Sequence, residues 1–368
     1  MHQTYPKALY VIRLNVENAS IISSHLTWGF PAPSAFTGFM HHLQRQLNQI
    51  AEYASIECCG VGIISHQFNP QITKTNSFRY SPYQLNLARH PLKADGSTPA
   101  MIEEGKGHFE VSLVIGLAGD GLDPHLSAND EDLSTQTQSL LDRLNHLVYN
   151  MRLAGGSVFP HKRVKAKLIN WSEHDAVDKT KILRRSVLPG FALQHRHELL
   201  MAHQNWLAQY PTYLATQKNS PDLLDTLLDI HRFNFVSTAQ EASVDQESVD
   251  GVWTLRPRPE HLKGWLVPIP IGYAALTDLQ PQGVIKGLRH DDYPATFVET
   301  LISLGEWQSP HRIKNIVDTL WNYNTEPKNG LYELVQPFAP KLDIDTSLPH
   351  EDTHQSFEFE SEIEEEEF

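Results

Sequence analysis

The 368 residues, 40% hydrophobic and 20% charged, suffice for one large or two ordinary globular domains, and a formal charge of −14 argues at face value against a nucleic-acid partner. That charge is unevenly spread. Nine acids (Glu351, Asp352, Glu358, Glu360, Glu362, Glu364, Glu365, Glu366 and Glu367) fall in residues 351–368, which hold no Lys or Arg, so residues 1–350 carry only −5. The two cysteines, Cys58 and Cys59, are adjacent and on a strand would face opposite ways, which excludes a disulfide framework and fits a reducing cytoplasm. No run approaches the roughly 18 apolar residues of a membrane span, and Arg13 interrupts the apolar start of MHQTYPKALYVIRLNV, so no secretory leader is expected.

In chain order, Ala8 to Val16 alternates apolar and polar residues with β-branched enrichment and predicts a strand. HLTWGFPAPSAFTG (25–38) then places aromatics, a glycine and two prolines in a turn. Phe36, Phe39, Met40, Leu43 and Leu47 follow at helical spacing, with Ser34 as the expected N-cap. Strands are predicted at 56–68 and 108–117, separated by a polar insertion (69–107), then a helix at 133–151 and a short strand near Ser157–Phe159. This βαββαβ order predicts an α+β fold with a ferredoxin-like core, helices on one face of an antiparallel sheet and the other face free. Further on, residues 196–236 read as helical pieces, including Leu223 to Phe233, and 237–260 as a polar linker. Residues 263–276 read as an edge strand, because Pro268 and Pro270 cannot donate to a ladder. Helices are predicted at 295–307 and 313–323. The expected divisions are 1–195, 196–260, 261–344 and an acidic, disordered 345–368.

Residues 151–200 hold ten Lys or Arg against four Asp or Glu, a basic segment in an acidic chain. It opens with MRLAGGSVFP, where Arg152, Gly155, Gly156 and Ser157 form either a helix C-cap followed by a turn or a backbone that approaches a phosphate closely. HKRVKAK (161–167) follows, and on a strand Arg163, Lys165 and Lys167 would line one side, either as a solvated face or as a sugar-phosphate track. The insertion interleaves Lys74, Arg79, Tyr80, Tyr83, Asn86, Arg89 and His90, a composition that suits unstacked bases as well as a plain hairpin. Neither a Walker lysine nor GxGxxG is present, so no nucleotide cofactor is expected. His41 and His42 lie about 100° apart on a helix; no HExxH or paired CxxC occurs, so no metal is expected and no catalytic residue is assigned. His25 stands as the one acid–base candidate toward RNA.

ISSHLTWGFPAPSAFTGF (22–39), EEGKGHFEVSLVIGLAGDGLD (103–123), MRLAGGSVFP (151–160), RRSVLPGFAL (184–193), KGWLVPIPIGYAAL (263–276) and FVETLISLGEWQSPHRI (297–313) closely resemble the Csy-family subunit at the foot of the type I-F CRISPR surveillance complex. The resemblance implies a repeat-associated RNA-binding (RAMP) fold and a non-enzymatic role, gripping the crRNA 5′ handle. It further implies a tail heterodimer with the large Csy subunit, contact with the backbone subunit, and double-stranded target DNA read by guide pairing. Carried onto this sequence, it implies RNA contact at Arg152, Gly155, Gly156 and Ser157, and handle or subunit contact at His25, Trp28, Gly29, Phe30 and Thr37. It places Arg79, Arg89, Arg184 and Arg185 in the RNA-facing part, their individual contacts inferred from charge, with Tyr80 and Asn86 added from the insertion. Gly305 to Arg312 reads as a packed helix junction first and, through Trp307, His311 and Arg312, as a protein interface second. The alternative is a metal-independent repeat endoribonuclease with His25 or His41 as acid–base group. The acidic segment has no counterpart in the resemblance, and its charge would repel DNA.

Overall fold

The computed structural model describes residues 4–74, 83–126, 135–210, 220–238, 252–288, 290, 292–326, 329–342 and 344. Strand β1 (Ala8–Ser20) sends Tyr10, Ile12, Leu14 and Val16 into the main core, while Arg13, Asn15 and Glu17 take the opposite face. Helix α1 (Pro33–Leu47) buries Phe36, Phe39, Met40, Leu43 and Leu47 against it. Its start differs from expectation: the helix begins at Pro33, whose preset φ suits the first turn, and Ser34 lies inside it without capping. β2 (Glu57–Pro70) leads into an insertion whose strands β3 (Ile72–Lys74), β4 (Tyr83–Arg89) and β5 (Met101–Glu104) form their own small sheet. Then come β6 (Lys106–Ala118), α2 (Thr135–Tyr149), the hairpin β7 (Arg152–Leu153) and β8 (Gly156–Pro160), and β9 (Lys167–Asn170). The central strands run β2–β6–β1–β8, each pair antiparallel, with β9 beside the start of β1.

The chain continues through α3 (Ala176–Arg184), β10 (Phe191–His195), α4 (His197–Leu207), α5 (Leu223–His231), β11 (Phe235–Thr238), β12 (Val252–Leu255), β13 (Trp265–Ala275), β14 (Val298–Gln308), β15 (Leu320–Glu326) and β16 (Leu331–Val335). Both helices predicted beyond residue 290 are corrected here. Residues 298–308 are strand β14, held between β10 and β13, where Val298, Thr300 and Ile302 suit a ladder better than a helix. In 313–323, Ile313, Ile316, Val317 and Leu320 mimic helical spacing and are all buried, yet the backbone makes one short turn whose Val317 N–H is capped by Asn315, then extends into β15. The predicted linker 237–260 is in part a two-stranded hairpin, β11 with β12, residues 239–251 lying outside the described set. Among the described residues, β13 is an edge strand over only half its length: Trp265–Pro270 has β14 alone, while Gly272–Ala274 also pairs with β16.

β2 carries β15 at Val61–Gly62 and β10 at Ile64–Ser65 on one margin, so β2, β15, β16, β13, β14 and β10 close into a ring. Side chains complete the closure where the ladder is missing. Gln336 accepts from the His195 N–H at 2.8 Å and donates to the carbonyls of Thr319 (3.0 Å) and Leu193 (3.2 Å), while the buried Trp321 indole donates to Leu193 at 3.0 Å. The second face of the central sheet is not wholly free, which corrects another expectation. Leu9, Val11, Ile64 and Val114 on that face are covered by α3 and the 313–320 segment.

Burial holds His66, His195 and His261 neutral, each pushed down to about 4, whereas burial pushes Asp318 up to about 6. Unfolded histidines take up protons from about pH 6.5 downward and the folded ones do not until about pH 4, so stability is lost as pH falls through that window. Asp318 works in the opposite direction. Urea titrations are expected to show a falling midpoint between pH 6.5 and 4, flattened in part by His66→Gln.

Candidate nucleic-acid interface

The uncovered half of the second sheet face is polar because β1, β2 and β6 alternate there in register. One row crosses the sheet as Phe159, Asn15, Glu110 and Gln67, and Asn69 pairs with His108 beside it. Arg13 meets Glu110 at 2.6 Å, His161 lies 3.7 Å from the same carboxylate, and Gln71 donates to Asn18 at 3.0 Å. Of these, Asn15, Gln67, Asn69, His108 and Glu110 line a shallow groove of about 290 Å³, and Arg13, Asn15, Glu110 and His161 line one of about 460 Å³. Sequence reading missed Arg13, Asn15, Gln67, Asn69, His108 and Glu110 as site residues, although polar residues at every second position of β1 were visible.

The basic run borders the second groove through Lys162 and Arg163. It is not the expected strand: His161 Nδ1 accepts from the N–H groups of Arg163 (3.2 Å) and Val164 (2.9 Å), making a turn, and the ladder resumes only at Lys167. Arg163, Lys165 and Lys167 are nonetheless exposed, alternating with half-buried Val164 and Ala166.

MRLAGGSVFP proves to be a hairpin tip, not a helix cap. Ala154 and Gly155 take φ of 49° and 75°, the signature of a type I′ turn between β7 and β8. Arg152 is exposed and its guanidinium donates to the Gly155 carbonyl at 3.2 Å, while Ser157 pairs with Glu17. Gly156 is demanded by packing: a Cβ there would lie 2.7 Å from the Glu17 carbonyl oxygen and 2.9 Å from the Ala19 Cα, whereas one at Gly155 would meet nothing within 4 Å. Gly156→Ala is therefore expected to cost about 1–3 kcal/mol, and Gly155→Asn, which tolerates positive φ, under about 1 kcal/mol. Urea unfolding of both variants checks this. Equal stabilities would contradict the contact.

The tip joins the opening turn. The Ser20 N–H donates to Ala154 and the Gly29 N–H, at φ 139°, donates to Ile21, each at 2.8 Å. His25 is exposed, 3.4 Å from Glu299, and Trp28 is 47% exposed. Phe30 packs inward, stacked on Phe36 at 5.7 Å and edge-on to Trp307 at 4.9 Å. Thr37, expected at the RNA or subunit boundary, is 1% exposed and its hydroxyl donates to Ser34, so helix packing removes it from the surface.

The other expected residues scatter. Asn86 and Arg89 are exposed on β4, and Arg79 and Tyr80 lie outside the described residues. Arg184 packs in the covered half of the sheet and donates to the Ile313 carbonyl, so it does not join the groove; Arg185, at the end of α3, is exposed. Trp307 is a buried residue of β14, which corrects the helix-junction reading. His311 and Arg312 are exposed in the turn that follows, Arg312 lying 3.6 Å from Glu306. Among the described residues, no cluster of three or more His, Cys, Asp or Glu is set to hold a metal, and no helix is long and apolar enough to cross a membrane.

Residues 9–334 match the family model described as CRISPR-associated protein (Cas_Csy2). The chain is also 40% identical over 345 residues to the CRISPR-associated protein Csy2 of Pseudomonas aeruginosa (strain UCBPP-PA14), a match covering 92% of this chain and 98% of that one.

Proposed function

Because the chain belongs to the Cas_Csy2 family of CRISPR-associated proteins, we propose that it is a non-catalytic RNA-binding subunit of a type I-F surveillance complex. It grips the 5′ handle of the guide RNA, pairs with the large Csy subunit and abuts the backbone subunit, within an assembly that meets double-stranded target DNA. The observation that carries this reading is the uncovered polar half of the sheet with Lys162 and Arg163 at its border, from which the exposed Lys165 and Lys167 continue the basic run. Amides, a histidine and Phe159 on the face suit bases, and the cations beside it suit phosphates. The order β2–β6–β1–β8 on a βαββαβ chain supports a ferredoxin-like RAMP core. The hairpin tip at Arg152–Ser157 would stand beside the RNA, and His311 with Arg312 would face a protein neighbour.

The test is binding of handle-containing and handle-scrambled RNA by the protein together with its large partner. Tighter binding of the true handle is expected. Equal affinity for both would remove the handle-specific claim.

A further inference from the structure

Gln67 stands in the walls of two concavities. One is the polar groove it shares with Asn69, His108 and Glu110; the other is an apolar cleft of about 680 Å³. The opening turn, the end of β2, Phe191, Trp307 and the half of β13 that pairs with β14 alone line this cleft, with no Asp, Glu, Lys or Arg among the described lining residues. A chain of rings runs through it: Phe30 meets Trp307 at 4.9 Å, Trp307 meets Trp265 at 6.3 Å, and Trp265 meets Phe191 edge-on at 5.4 Å. The inner two rings belong to the core. The outer ones do not: Trp265 is 57% exposed, Trp28 47% and Phe191 43%, so about half of each ring faces water in a concave site.

Three observations decide what this cleft would take. Its lining is neutral, so it offers no site for a phosphate or a charged side chain. β13 borders it with Pro268 and Pro270, which lack N–H groups, so an extended peptide cannot add there by a regular ladder. The cleft also shares Gln67 as a wall with the groove assigned above to RNA. Flat, uncharged, aromatic groups attached to a backbone that lies elsewhere match all three.

We propose that the aromatic cleft receives unstacked bases of the single-stranded RNA whose backbone follows the polar groove, a proposal that rests on the RNA-binding reading above. Trp265 and Trp28 supply ring faces for stacking, which tolerates any base, and the Gln67 amide at the junction offers both a donor and an acceptor to a base edge. The volume is within the range of ordinary ligand pockets and exceeds the need of a single base.

The test uses the full chain with its large partner and handle RNA, in wild-type form and as Trp265→Leu. The variant removes an exposed ring while leaving an apolar side chain, so the thermal midpoint should stay put. RNA affinity is expected to fall about ten-fold, the scale of one lost stacking contact. Handle RNAs carrying one abasic nucleotide at a time should reveal a position whose loss weakens wild type equally and weakens Trp265→Leu no further. Equal RNA affinity of variant and wild type, with no abasic position separating them, would overturn the cleft assignment and leave the RNA-binding reading standing. Wild type that binds no RNA removes both. A variant that keeps its RNA affinity but no longer retains the large partner assigns the cleft to protein and also overturns the proposal.

Discussion

Asp229→Ala is expected to lower the stability of the protein by about 3–5 kcal/mol, the scale of breaking a buried ion pair from one side. The carboxylate on α5 is 3% exposed and faces three cations or donors. Arg256 and His203 both bond its Oδ2, the latter at 2.8 Å, and Arg232 lies 3.8 Å from Oδ1. Arg256 is itself covered by Trp206 and Tyr210, its guanidinium carbon 5.5 and 5.3 Å from their ring centroids, and His203 is fully buried and 3.0 Å from His261. Burial would push the Asp229 carboxyl up, but the bonds from His203 and Arg256 and the charge of Arg256 hold it below the ordinary carboxylate range. Removing it leaves a desolvated guanidinium without a counter-charge, and α4, α5 and the 256–261 segment lose the group that joins them. Arg232→Ala is the contrast: its side chain is 59% exposed and its pair is worth under about 1 kcal/mol. Urea unfolding distinguishes them, and a loss below about 1 kcal/mol for Asp229→Ala would show that the network adds little.

The second large effect concerns RNA. Replacing Arg163, Lys165 and Lys167 together by Ala is expected to weaken RNA binding about 10–100-fold and to reduce the dependence of log affinity on log salt by about 2, since each phosphate contact on a single strand contributes roughly 0.7 to that slope. The three side chains are exposed on a segment that makes few ladder bonds, so the fold should be unaffected. Arg184→Ala separates charge from place: it removes one positive charge of the same basic segment, but from a guanidinium spent on the Ile313 carbonyl, so it should cost stability and leave the salt slope unchanged. An unaltered slope in the triple variant would take the RNA backbone away from this border.

Residue order determined much of this protein without help from tertiary contacts. β1, β2, β6, α1 and α2 were legible because each keeps one period over several residues, as in Tyr10–Ile12–Leu14–Val16 and Phe36–Phe39–Met40–Leu43–Leu47, and burial then only has to agree with that period. The basic segment and the glycine pair were visible in the sequence, whereas the hairpin that the glycines form was not. The tertiary structure decided what local pattern left ambiguous. Ile313, Ile316, Val317 and Leu320 satisfy helical spacing, yet the margin of β2 and the sheet beneath α3 draw the same side chains into a turn and a strand. β14 becomes a strand because β10 and β13 stand on both sides of it to take its backbone hydrogen bonds. The candidate interface followed the same rule: Phe159, Asn15, Glu110 and Gln67 are far apart in sequence and become one row only through antiparallel register, while α3 covers the neighbouring half of the face and takes Arg184 with it. In the opening turn, sequence supplied the aromatic rings. Only the packing of Phe30 on Trp307 and the open half of β13 decided which rings enter the core and which are left facing a cleft.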